Sequence, residues 1–120
     1  MNKVTLVLGG SLNEGAYSNT AIKKLRAKGF VVAAIGRKKG LVLDVAIQTD
    51  KNLKDIDTVT LYLNPKSQKE YYSYVLSLKP RRVIFNPGTE NQEFIKLLAQ
   101  NNIGTEIACT LVLLSLNQYE

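Results

Sequence analysis

Apolar residues in this chain come in short runs separated by polar turns, and the spacing within each run predicts its conformation. Val4 to Leu8 shows no apolar–polar alternation, the pattern of a strand covered on both faces. In Thr20 to Lys28, Ala21, Ile22 and Leu25 recur at helical spacing. Lys23, Lys24, Arg26 and Lys28 fall mostly on the other side, and Gly29 marks the stop. Phe30 to Ile35 is a second strand, so the unit is strand–helix–strand, normally parallel with a right-handed crossover. Leu41 to Ile47 follows a glycine and is interrupted by Asp44; it reads as an extended connection. Lys51 to Ile56 predicts a short helical turn, and Thr58 to Leu63 a third strand rich in β-branched residues.

The second half repeats the alternation. Asn64 suits a helix cap and Pro65 the first helical position, where its missing N–H is not needed; Ser67 and Glu70 have capping-box spacing that would start the helix slightly later. Tyr71, Tyr72, Tyr74, Val75 and Leu78 form the body of this helix, as core residues or, for some tyrosines, as a stacking surface for a ligand's base. Lys79-Pro80 breaks it and Arg82 to Phe85 is the fourth strand. Thr89 with Gln92 reads as a capping box for a helix whose buried stripe is Phe94, Ile95, Leu97 and Leu98, ending at Asn101-Asn102. Ile103 to Ala108 is a fifth strand and Thr110 to Leu116 a closing helix. Five strands alternating with helices predict an α/β fold: one open parallel five-stranded sheet with helices on both faces.

Composition narrows the function. At 120 residues the chain forms one domain, 1–120, with a single core. Sixteen Lys and Arg against ten Asp and Glu leave a net charge of +6, which favours anionic partners without separating nucleotides from nucleic acids or membrane surfaces. Histidine is absent, so the commonest general base and zinc ligand are missing, and with Cys109 as the lone cysteine neither the usual zinc sites nor a Cys-His or Ser-His-Asp system can be assembled. We expect no metal site and no catalytic residues. A single cysteine fits a reducing compartment; Val4 to Leu8 is too short for a signal peptide core and Leu111 to Leu116 too short to span a bilayer. The expectation is a cytoplasmic protein with no membrane association.

Three turns carry the candidate chemistry. The first, Gly9-Gly10-Ser11-Leu12-Asn13-Glu14-Gly15, lies between strand and helix. Glycines there let backbone approach a ligand, and the free N–H groups of the following helix favour an anion. Its glycine spacing is not the strict dinucleotide pattern, and a plain connecting turn is the alternative. The second, Gly36-Arg37-Lys38-Lys39-Gly40, is basic where a nicotinamide-binding fold would place an acid for the ribose hydroxyls. It therefore suits a phosphate on or near a ribose, or else is a solvated loop. The third is Asn86-Pro87-Gly88. The basic cluster on the first helix reads as a solvated face.

In order and spacing, Gly9-Gly10-Ser11, Leu53-Lys54-Asp55-Ile56-Asp57, Asn86-Pro87-Gly88 with Glu90-Asn91, and Cys109 resemble the small CoA-binding domain family, itself similar to the N-terminal domain of the succinyl-CoA synthetase alpha subunit. The resemblance covers nearly the whole chain and implies a Rossmann-like fold holding CoA or acyl-CoA. By position, Gly10, Ser11, Leu12 and Asn13 would meet the CoA phosphates, and Lys38 with Arg37 the adenosine end. Asn64, Pro65, Phe85, Asn86, Pro87 and Gly88 would line the nucleotide cleft. The chain departs from the family at Gly36-Arg37, where an Asn-Pro pair is common, at Glu14, where proline is, and at Asp44, where glycine is. The related synthetases use further domains for catalysis, so the resemblance implies a binding module for a small-molecule nucleotide, not an enzyme, with a protein partner or a homo-oligomer as its setting. The alternatives are an NADP-binding oxidoreductase subunit, since the basic turn also suits a 2′-phosphate, and a basic nucleic-acid or protein-interaction module. No aromatic–basic or helix-turn-helix motif supports nucleic acid. Cys109 reads as a small buried hydrophobe.

Overall fold

The apolar runs assemble into one sheet in the computed structural model, which describes residues 3–120. The elements are β1 (Val4–Gly10), α1 (Tyr17–Ala27), β2 (Val31–Gly36), β3 (Gly40–Val42), β4 (Val45–Gln48), β5 (Thr58–Leu61), α2 (Pro65–Gln68), a 3-10 turn (Lys69–Tyr71), α3 (Tyr72–Leu78), β6 (Arg82–Phe85), α4 (Gln92–Gln100), β7 (Gly104–Ile107) and α5 (Thr110–Ser115). The sheet order is β3-β4-β2-β1-β5-β6-β7, parallel throughout except for β3, which runs antiparallel to β4. The α/β class and the helices on both faces follow the expectation; the strand count is seven, not five.

Each face has its own core. Ile22 and Leu25 of α1 and Leu114 of α5 pack with Val7, Ala34, Ile47 and Ile84 on one face. Val75 of α3 and Phe94 and Leu98 of α4 pack with Leu6, Leu8, Val59, Val83 and Phe85 on the other. Burial on both faces explains why the central strands read as continuous apolar runs. Ile22, Leu25, Phe94 and Leu98 have no exposed surface, and full burial contributes about 1.5–3 kcal/mol for a side chain of this kind.

The extra strands come from Leu41 to Ile47, expected to be a connection. It is a hairpin turning at Leu43-Asp44, and it joins the sheet through two parallel pairs, Ala34↔Ile47 and Ile35↔Gln48. Three further expectations are corrected. Lys51 to Ile56 forms no helical turn, and Asp55 adopts a left-handed φ of 58°. The long tyrosine-bearing helix is split by the 3-10 turn into α2 and α3. Thr89 does not cap α4: its hydroxyl donates to the Asn86 carbonyl, and Asn91 caps instead, its Oδ1 accepting from the Phe94 N–H at 3.2 Å. The start of α2 is as expected, with Pro65 in the first turn and Asn64 Oδ1 accepting from the Ser67 N–H at 2.8 Å. That bond leaves no capping box at Ser67.

The chain leaves β1 toward β2 through α1 on one face, then returns to the other side of β1 as β5 and continues through α3 on the opposite face. The crevice beyond the carboxyl ends of β1, β2 and β5 is thus the switch point of the sheet, where open α/β folds place ligands.

Candidate functional site

Strand ends build the floor of that crevice. Gly9 sits at φ 102°, a value side chains rarely tolerate, and an added Cβ would lie 2.9 Å from the Tyr62 carbonyl group. The β1–β2 register shifts here, a bulge after Leu8, before pairing resumes at Gly10↔Gly36 where the turn begins. The turn is then wound by its own side chains. Asn13 N–H donates to Ser11 Oγ at 3.0 Å, Gly15 N–H to Asn13 Oδ1 at 2.9 Å, and buried Asn19 Nδ2 on α1 donates to the Ser11 carbonyl at 3.0 Å. Asn19 Oδ1 is buried without a partner.

The turn delivers the chain into an uncapped helix. Ala16 at the N-cap supplies no side-chain acceptor and the first turn of α1 has no acid, so its first N–H groups lack intrahelical acceptors and keep the positive end of the helix dipole open. Glu14 is drawn to Lys23, 3.3 Å away, and stays largely exposed.

Above the floor lies a cleft of about 560 Å³, within the size range of ligand pockets. One wall is the glycine turn, Gly9 to Asn13. A second is Gly36, Arg37 and Lys38; the third is Tyr62, Leu63, Asn64, Ser67, Glu70 and Tyr71. Of the residues singled out in the sequence, Gly10, Ser11, Leu12, Asn13, Arg37, Lys38 and Asn64 therefore meet in one cleft. Pro65, Phe85, Asn86, Pro87 and Gly88 do not line it. Phe85 is fully buried against Phe94, ring centroids 5.9 Å apart. The Asn86 side chain turns inward, donating to Thr60 Oγ1 (2.7 Å) and the Leu61 carbonyl (2.8 Å) and accepting from the Thr110 N–H (2.8 Å). Pro87 and Gly88 are exposed beyond β6, with β5 between them and β1.

Of the third wall, the sequence singled out Asn64 and offered the tyrosines of the next helix as core residues or as a stacking surface; Tyr62, Leu63, Ser67 and Glu70 carried no binding signal. Ser67 and Glu70 have the spacing of a cap signal, and Tyr71 sits at a helical position that suits either the core or a stacking surface. The 3-10 turn at Lys69–Tyr71 brings Ser67, Glu70 and Tyr71 to the cleft, and Lys51, whose Nζ lies 4.6 Å from the Tyr71 ring centroid, braces the wall by donating to the Glu70 carbonyl at 2.9 Å. Its neighbour Tyr72 does go into the core, stacked on Phe94 at 4.3 Å. Burial pushes the Tyr62 phenol up to about 12, and its hydroxyl has no partner. Burial and then Glu70 raise Tyr71, opposed by Arg37. Both phenols, Tyr62 and Tyr71, stay protonated at neutral pH. Cys109 is half-buried, not fully enclosed. Among the described residues no group of three or more Cys, Asp or Glu is gathered as for a metal, and no helix is long and apolar enough to cross a membrane.

These features fit a phosphorylated nucleotide: a glycine-bearing turn that leads into an uncapped helix, with Arg37 and Lys38 lining the same cleft. Comparison with known proteins points the same way. The sequence model of a family described as CoA binding domain matches residues 3–115. A crystal structure of an uncharacterized protein is 45% identical, with a TM-score of 0.94 and 98% of each chain covered. A hypothetical protein from Pyrococcus horikoshii OT3 is 25% identical (TM-score 0.77; 92% of this chain and 80% of that one). A Thermus thermophilus protein described as cell-free ID.343, at 20% identity and TM-score 0.86 over 98% and 90% of the two chains, shares the fold. No curated protein matches.

Proposed function

The chain belongs to the CoA binding domain family, and from that premise we propose that its cleft binds CoA or an acyl-CoA as a non-catalytic binding module. The pyrophosphate would lie over Gly10 to Asn13 at the start of α1, and the ribose phosphate against Arg37 and Lys38. The observation that carries this reading is that Arg37 and Lys38 line one cleft together with the glycine turn that leads into an uncapped helix. A ligand with anionic groups at both ends of an adenosine moiety would meet a donor set at each, through charge-assisted hydrogen bonds. The absence of catalysis is argued from the side chains. The chain has no histidine, the Tyr62 hydroxyl is buried, and the phenols of Tyr62 and Tyr71 titrate above their ordinary value, the wrong direction for a general base near neutral pH. The same argument weighs against an oxidoreductase that would use one of these tyrosines as its proton donor.

Calorimetric titration with CoA, dephospho-CoA, NADP and NAD tests the assignment. CoA should bind most tightly and dephospho-CoA about tenfold more weakly, the scale of one charged hydrogen bond; Lys38→Ala should erase the difference. Equal affinity for CoA and dephospho-CoA removes the role of the basic loop. Tighter binding of NADP than of CoA turns the reading toward a nicotinamide site, and no binding of any of the four overturns it.

A further inference from the structure

The loop that carries Arg37, Lys38 and Lys39 is exposed, and among the described residues none of the three is in an ion pair. Its position is set instead by its two ends, and both ends are glycines touching the glycine turn. At the entry, a Cβ on Gly36 would collide with the carbonyl oxygen of Gly10. At the exit, a Cβ on Gly40 would lie 2.6 and 2.8 Å from the two methyl carbons of Leu12. Neither glycine has a positive φ, so neither is required by a left-handed turn; what each supplies is room for close approach. Leu12, 41% exposed, lies on Gly40 with its covered side while also lining the cleft.

We infer that Leu12 is a positioning residue: seated on Gly40, it latches the basic loop to the glycine turn, so that the two phosphate-facing loops form one preorganised unit. A loop held before binding loses less conformational freedom when a ligand arrives. The ligand half of this inference rests on the CoA reading above; the latch itself does not. It also accounts for a large apolar side chain kept exposed in the middle of a polar turn.

The test uses Leu12→Ala, Gly40→Ala, the double variant and the conservative Leu12→Met, with two readouts. The first is amide hydrogen exchange at residues 37–39 in the ligand-free protein. Leu12→Ala should raise it at least fivefold. Gly40→Ala, whose methyl displaces Leu12, should do the same, the double variant no more than either, and Leu12→Met should return it toward wild type. The second is the ratio of dissociation constants for dephospho-CoA and CoA, which should fall at least threefold in each alanine variant without a fall in thermal midpoint to match. Unchanged exchange in Leu12→Ala overturns the latch whatever the ligand does, and losses that add in the double variant overturn it as well. If the wild-type protein binds neither nucleotide, the CoA reading fails while the exchange measurement still decides the latch.

Discussion

Every hydrogen-bonding atom of the Asn86 side chain has a partner that comes from a different element: Thr60 and Leu61 on β5, and the Thr110 N–H at the start of α5. Its backbone carbonyl accepts twice more, from the Thr89 N–H and hydroxyl. Asn86 is thus a staple between sheet and helix, 2% exposed. Asn86→Ala should destabilise the fold by about 2–4 kcal/mol, because it strands a buried N–H and a buried carbonyl at once. Urea denaturation measures this, with an unchanged m-value expected. In the sequence, Asn86-Pro87-Gly88 was legible as a strand-to-helix turn at the ligand-bearing edge of the sheet. Which way its asparagine points was not, since an inward staple and an outward ligand both suit the same residue in the same kind of turn.

At the scale of elements, the β3–β4 hairpin is tied to α1 by a side-chain pair, Arg26 and Asp44. Its turn places Leu43 at φ 54°, where glycine is favoured in two-residue hairpins. Arg26 of α1 grips Asp44 in the same turn through two bonds, 2.9 and 2.6 Å, and donates a third to the Phe30 carbonyl at 2.8 Å. The Arg26 hydrogen bonds hold the Asp44 carboxyl below its ordinary 3.8. Asp57, at the start of β5, is held low as well, the bonds from Arg81 and Thr58 outweighing its partial burial. A carboxyl depressed in the folded state stabilises above its unfolded value and loses that contribution as pH falls through the folded one. Hairpin protection at Val45, which closes the turn opposite Val42, should therefore be flat from pH 7 to about 5 and decline below about 4, and Arg26→Ala should remove the acid-dependent step. Hydrogen exchange across that range distinguishes the two. The hairpin was read as a connection because Asp44 interrupts an apolar run and Leu43 is no turn residue; the pair that makes the turn workable joins positions 18 apart.

The whole molecule is closed at its other end by Tyr119. Its ring meets Phe30 edge-on at 4.9 Å, its hydroxyl bonds Thr5 Oγ1 at 2.6 Å, and buried Arg82 both lies over the ring and donates to the Tyr119 carbonyl. One residue thus joins β1, β2's entry and β6 to the chain beyond α5. Tyr119→Ala should cost about 3–5 kcal/mol, the range for deleting a buried aromatic ring, whereas Tyr119→Phe, which removes only the hydroxyl, should cost about 1 kcal/mol. Thermal unfolding of the two variants separates the packing part from the hydrogen bond. A polar chain end such as Asn117-Gln118-Tyr119 carries no periodic signal, so sequence reading left it without structure.

Sequence by itself determined the alternation of strands and helices, the two-sided burial of the central strands, the cap at Asn64 and the cationic chemistry of Arg37-Lys38. All of these are local: they follow from spacing along a few residues and from the identity of a side chain. Tertiary structure decided which strand end faces which. The return of the chain as β5 beside β1, with β6 one place further out, gave the third wall of the cleft to side chains between Tyr62 and Tyr71 and turned Asn86 into a buried staple. It also brought Leu12 onto Gly40, a contact between two loops that no periodicity records. Strand order is a non-local property, settled by how two opposite hydrophobic faces are covered at once, and the site inherits its membership from that order.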